Sequence, residues 1–240
     1  MKYMAVDTST RHTSIAIADG EKILASRHVA PKKDLSLSIT FDIERTLQKA
    51  GVFLSGLDGF VIGLGPGSFT SLRVGLSMLK AFIMVTQRPV VGVSSLDVIA
   101  MNVKAKARTN VCVISDARRD LLYCALYERE GAALMRKSDY LLKSWNEIWP
   151  SLSGDFVFIG DGIPLFKERI AESAARPTSR FKASFAPEKQ WLPQAKELAV
   201  LGYQRLCRGD VDDVTTLAPL YLHPEDCQVH GHRPATSGHP

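Results

Sequence analysis

The sequence predicts an α/β protein in two lobes, and three observations carry that expectation. Short β-type runs alternate with helical stripes in the order β-β-β-α-β-α-β between Tyr3 and Val93. A polar, basic stretch from Lys104 to Asn110 then interrupts the apolar pattern, and a second group of β-type runs starts at Val111. With 240 residues, 45% of them hydrophobic and 23% charged, the chain can bury the cores of two such lobes. The expected division is an N-terminal lobe over 1–105, a C-terminal lobe over 106–222 whose last part packs back on the first, and a flexible tail over 223–240.

Tyr3 to Asp7, Ser14 to Ala18 and Lys22 to His28 are three apolar or β-branched runs separated by polar turns, which predicts an antiparallel meander. Ile39, Ile43, Leu47 and Ala50 then recur at helical spacing, with Gly51 placed to cap the C-terminus. Phe60 to Gly63 is the next strand. After a glycine-rich loop, Leu72, Leu76, Leu79 and Ile83 make one helical stripe, and Val74, Met78, Ala81 and Val85 make a second on another face. A helix that is apolar on two sides is either fully buried or covers its own sheet with one side and a partner with the other. Val90 to Val93 closes this lobe as a strand, with a helix beginning near Ser94. Beyond the basic stretch, Val111 to Ile114 and Leu121 to Leu126 flank the turn Asp116 to Asp120, and Phe156 to Ile159 is a third strand. Helices are expected near Leu165 to Ala175 and over Ala195 to Cys207, the latter stopped by Gly209.

Composition excludes several classes of function. No apolar run approaches the roughly 20 residues that cross a bilayer, and the N-terminus has no signal-peptide pattern, so the expected location is the cytoplasm. Cys112, Cys124, Cys207 and Cys227 show no paired spacing, and Cys112 and Cys124 read as core residues. The net charge of +5 and the pI near 9.0 are compatible with nucleic acid, but the basic residues lack the interleaved aromatics of a base-stacking surface. Contact with RNA is therefore expected only through a partner. No His-x-x-x-His pattern occurs, and no metal site is expected.

Two loops carry the remaining chemistry. Asp7-Thr8-Ser9-Thr10 puts an acid and three hydroxyls at a strand end, but without the glycines that let a backbone approach a phosphate. Gly63 to Ser68 lacks the lysine of a phosphate loop and the third glycine of a dinucleotide loop. Its expected role is to turn the chain and offer Ser68 or Thr70 as helix cap, with Arg73 one turn in. Asp7, Thr8, Ser9, Thr10, Gly65, Gly67, Ser68 and Thr70 thus form a candidate, vestigial anion loop. Asp7, Asp116 and Asp161 would be the acids of a cleft enzyme, although acids in turns commonly bind backbone amides.

Taken in order, Asp7-Thr8-Ser9-Thr10, Gly65-Pro66-Gly67-Ser68-Phe69-Thr70 with Arg73, Gly92-Val93-Ser94-Ser95-Leu96, Asp116-Ala117-Arg118 and Pro219-Leu220-Tyr221-Leu222 resemble the bacterial TsaB (YeaZ) family over nearly the whole chain. The resemblance implies the two-lobed fold of actin, Hsp70 and sugar kinases (ASKHA). It implies a non-catalytic subunit that binds TsaD, with the ATPase TsaE, to make threonylcarbamoyladenosine in tRNAs reading codons that begin with A. It also implies a homodimer when TsaD is absent, tRNA contact only through the complex, no cofactor on this chain alone, and ATP or ADP at most at the joint surface. The partner-binding residues expected on that basis are Ile39, Ile43, Leu72, Arg73, Gly75, Leu76, Met78, Leu79 and Phe82. Ser71 and Asp34-Leu35-Ser36 depart from the family pattern. The alternative is an enzyme of the same fold, an ATP-dependent phosphotransferase or a peptidase-like hydrolase; a tRNA-binding module acting alone is a third class.

Overall fold

A computed structural model describes residues 1–30, 35–104 and 107–223. The first sheet holds β1 (Lys2–Asp7), β2 (Thr13–Asp19), β3 (Lys22–Val29), β4 (Gly59–Gly63) and β5 (Val90–Val93) in the order β3-β2-β1-β4-β5. The meander is antiparallel, while β4 lies parallel to β1 and β5 parallel to β4. Both faces of β1 and β2 are buried, which explains why these strands read as continuous apolar runs instead of alternating ones. Successive side chains go to opposite faces. Met4, Val6, Ile15 and Ile17 join one core, and Tyr3, Ala5, Ala16 and Ala18 join another.

Helices α1 (Leu35–Ala50) and α2 (Phe69–Thr86) cover the first of these faces. Gly51 caps α1 in the left-handed conformation expected of it. Helix α6 (Ala195–Cys207) returns from the far end of the chain to cover the other face, packing Leu198, Ala199 and Leu206 on the small residues of β1 and β2. A Cβ on Gly202 of α6 would lie 2.3 Å from a Val61 methyl, so glycine there sets how closely helix and sheet approach. The segment after α6 also belongs to this lobe. Asp212 pairs with Val90, Leu217 is buried in the first core, and the Leu220 amide donates to the Leu64 carbonyl.

The second sheet has the order β11-β10-β6-β7-β8, with β9 also paired to β7. Its strands are β6 (Thr109–Asp116), β7 (Leu121–Glu130), β8 (Ala133–Arg136), β9 (Leu141–Ser144), β10 (Gly154–Ile159) and β11 (Phe181–Phe185). One face packs Trp145 of α4 (Trp145–Ile148) and Phe166 and Ile170 of α5 (Ile163–Ala175) around Phe158 and Phe181. The other rests on α3 (Ser95–Met101), which joins the two sheets: Val98 belongs to the first lobe's core, and Leu96, Ile99 and Ala100 face Val111, Val113 and Tyr127. Cys112 and Cys124 are both buried in the second lobe, their thiols in hydrogen-bond contact at 3.8 Å with no disulfide between them.

The sequence reading stops β7 at Leu126 and lacks β8, β9, α4 and β11. Exposed β8 has no alternation to detect, and α4 is a single turn whose only signals are a capping box on Ser144 and Glu147. Asp34 and the tail beyond His223 lie outside the described residues.

Candidate functional site

The glycine loop and the first hairpin are built into each other. The Asp7 carboxylate accepts from the Ser9 amide at 2.8 Å, from Ser9 Oγ at 2.7 Å and from Ser95 Oγ at 2.6 Å. Ser95 Oγ accepts in turn from the Gly65 amide, and the Gly65 carbonyl accepts from the Ser95 amide. The Ser68 amide donates to the Ser9 carbonyl at 2.7 Å. Glycines permit this closeness, since a Cβ on Gly67 would sit 2.0 Å from the Ser9 carbonyl oxygen and one on Gly75 would sit 2.3 Å from Thr8 Oγ1. Burial pushes the Asp7 carboxyl up, while the bonds from Ser95 and Ser9 and the nearby His28 pull it back.

Of the candidate anion loop, the structure brings together Asp7, Thr8, Ser9, Gly65, Gly67 and Ser68, with the Gly65 and Ser68 amides spent on protein oxygens. Thr10 instead bonds its own turn at His12, and Thr70 is exposed. Ser68 occupies the N-cap position of α2, as the sequence suggests, but its hydroxyl pairs with Ser71 Oγ and caps no amide. Thr8 Oγ1 is buried without a hydrogen-bond partner, held against α2.

Arg73 leaves α2 toward solvent. Its Nε donates to the Tyr221 hydroxyl at 3.0 Å, and its guanidinium lies 3.8 Å from the Phe69 ring centre. This clip ties the Pro219–Leu222 segment to the start of α2, a role with no physical signal in the sequence. Asp161 is likewise turned inward, accepting from Ser115 Oγ and the Asp116 amide, and Asp116 holds the Arg118 amide and side chain. Among the described residues, no group of three His, Cys, Asp or Glu side chains could hold a metal ion.

The two stripes of α2 separate as their spacing predicts. Leu72, Leu76, Leu79 and Ile83 are buried, whereas Val74 and Met78 are half-buried and Ala81 and Val85 exposed. Of the expected partner-binding set, Ile39, Ile43, Leu72, Gly75, Leu76 and Leu79 are buried, whereas Arg73, Met78 and Phe82 remain at or near the surface. On these two helices, the large apolar side chains that stand exposed are Leu37 and Phe41 on α1, and Phe69, Met84 (72% exposed) and Val85 (82% exposed) on α2. Sequence reasoning passed over Leu37 and Phe41, although their i, i+4 spacing opposite the Ile39–Ile43 stripe is the available signal. Helix α2, with 18 residues, is long and apolar enough to cross a membrane by length and composition alone. Its buried stripe is nevertheless seated on the first sheet.

His12 and His28 stack with ring centres 5.1 Å apart beside the first hairpin. Burial and the neighbouring His12 lower the His28 pKa from 6.5, against the opposing pull of Asp7. The unfolded chain therefore takes up this proton first, so the stability associated with His28 is complete above about pH 6.5 and lost as pH falls through its folded value. Thermal melts are expected to lose stability over that window, and His28→Gln to flatten the loss. An unchanged slope would exclude His28 as its source.

The family model described as "TsaD: tRNA N6-adenosine threonylcarbamoyltransferase" matches residues 28–226. The chain belongs to this family. Within it, the similarity is to the TsaB (YeaZ) members: the tRNA threonylcarbamoyladenosine biosynthesis protein TsaB of Escherichia coli is 25% identical over 227 residues, covering 92% of this chain and 94% of that protein. The solved structure of YeaZ from Pseudomonas aeruginosa superposes with a TM-score of 0.76 at 26% identity, over 92% of this chain and 99% of that one. Component A of the (R)-2-hydroxyglutaryl-CoA dehydratase of Acidaminococcus fermentans, at 11% identity and a TM-score of 0.51 over 86% of this chain and 99% of that one, shares the fold alone. The two mixed sheets with flanking helices are thus the α/β fold of the YeaZ structure.

Proposed function

We propose that this chain is the non-catalytic subunit that binds TsaD in the synthesis of tRNA threonylcarbamoyladenosine, acting in the cytoplasm. The observation that carries the reading is the set of large apolar side chains that α1 and α2 leave in solvent, among them Leu37, Phe41, Met84 and Val85. An unpaired face of this kind suits a protein interface better than a lone monomer. The engaged acids support the absence of chemistry on this chain, because Asp7 and Asp116 are held by their own turns and Asp161 by Ser115 and the Asp116 amide. In this reading TsaE joins the TsaB–TsaD pair, ATP or ADP binds at the joint surface if at all, tRNA is met only through the complex, and the same face forms a homodimer when TsaD is absent.

Sedimentation of the purified chain with TsaD of the same organism, with and without ATP, tests the proposal. A stable complex is expected. If none forms while the chain remains folded, the scaffold reading fails and the cleft enzyme replaces it; magnesium-dependent ATP binding by the isolated chain would point the same way.

A further inference from the structure

A cleft of about 430 Å³ lies away from the α1–α2 face, between the edge of the first sheet at β5 and the edge of the second at β8, with Leu64 of the glycine loop on its wall. Its walls are apolar, from Leu64, Val93, Leu134, Leu201 and Leu220. The Asp97 carboxylate of α3 lines it, accepting from the Tyr127 hydroxyl at 2.7 Å and from the Tyr140 hydroxyl at 2.8 Å. Two hydrogen bonds leave a carboxylate about half of its acceptor capacity. Among the described residues no ion pair reaches Asp97. Burial accordingly pushes its carboxyl up, and the two tyrosine bonds and Arg136 only partly oppose this.

Two arginines face the same space, with different freedom. Arg205 is consumed by Asp210, Asp212 and the Gly92 carbonyl. Arg136 lies over the Tyr140 ring at 4.2 Å and donates from one Nη to the Ser138 carbonyl, which leaves most of its five donors unused. It is near enough to act on Asp97 electrostatically, yet the two do not pair. An unpaired carboxylate and a largely free guanidinium thus line one apolar-walled cavity across a gap. Such a site is complementary to a molecule carrying both charges.

We propose that this cleft binds a small zwitterion of the α-amino-acid class with an apolar side chain. Its ammonium is held by Asp97, its carboxylate by Arg136, and its side chain by the leucine walls. The site is independent of TsaD binding, so its failure and the failure of the scaffold reading are separate results. The test is a titration of the full-length, ¹⁵N-labelled chain with L-leucine, with N-acetyl-L-leucine (no ammonium) and L-leucinamide (no carboxylate) in parallel. L-leucine is expected to shift the amides of Ser94 to Val98 and Leu134 to Arg136 saturably. Each derivative should bind about tenfold more weakly or worse, as the loss of a charged hydrogen bond requires. Asp97→Asn and Arg136→Gln should each remove the saturable shift. No saturable shift up to about 10 mM, a millimolar-range limit of weak affinity, would overturn the proposal. So would either derivative binding as tightly as L-leucine; Asp97 would then be only a clamp between the lobes. If Asp97→Asn fails to fold, the exposed Arg136→Gln decides alone.

Discussion

Val85→Asp is expected to abolish association with TsaD and with a second copy of this chain, while the variant melts within about 2 °C of the parent. The side chain is 82% exposed, so the monomer loses almost no contact on substitution. Exposed changes of this sort fall within about 0.5 kcal/mol, which for a chain of this size is about 1–2 °C. In a complex made through this end of α2, the same carboxylate would be desolvated against apolar side chains, where an unpaired charge costs several kcal/mol. Leu76→Asp is the necessary contrast. Leu76 belongs to the buried stripe at 7% exposure, so aspartate there forfeits about 1.5–3 kcal/mol of burial and adds a charge to the core. That variant is expected to unfold, and its loss of binding would say nothing about the interface. Sedimentation velocity paired with calorimetry separates the two cases. A Val85→Asp chain that still pairs like the parent would remove this end of α2 from the interface.

The contrast also shows what the sequence made legible. The two stripes of α2 and the three-strand meander follow from spacing alone, because side-chain direction is fixed by a helical period of 3.6 and a strand period of 2. Which stripe faces inward was not legible: Leu72-Leu76-Leu79-Ile83 and Val74-Met78-Ala81-Val85 are both apolar, and only the sheet beneath selects between them. The cleft around Asp97 was equally hidden. Asp97, Tyr127, Arg136 and Tyr140 come from separate elements, and no local pattern links them before α3 is placed between the sheets. The same limit applies to Arg73 and Tyr221, which are 148 positions apart and in contact. The acid and hydroxyls of the Asp7–Thr10 turn were legible as residue types, but the bond from Ser95 that helps turn the Asp7 carboxylate inward was not, since Ser95 lies 88 positions away.

Gly67→Ala is expected to be the most damaging single-methyl change in the glycine loop, lowering the melting temperature by about 10 °C. The backbone of Gly67 is not left-handed, so conformational strain contributes nothing there. The added Cβ would meet the Ser9 carbonyl oxygen at 2.0 Å and its carbon at 2.8 Å, and these are backbone atoms that no rotamer change can move aside. The start of α2 must therefore lift from the hairpin, which breaks the 2.7 Å bond from the Ser68 amide to Ser9. Overpacking costs about 1–3 kcal/mol and the stranded buried carbonyl about 1–3 more, and at 2–4 °C per kcal/mol the sum reaches about 10 °C. Gly51→Ala gives the opposite test of the same physics. Gly51 is left-handed at φ +66°, but no atom lies within 4 Å of the position its Cβ would take. Only the backbone penalty of about 1–2 kcal/mol applies, so a loss of about 2–8 °C is expected. Calorimetry of the two alanine variants should therefore rank steric closure above backbone strain. If Gly67→Ala melts no lower than Gly51→Ala, the hairpin and the glycine loop are free to separate, and the loop amides become available to an anion.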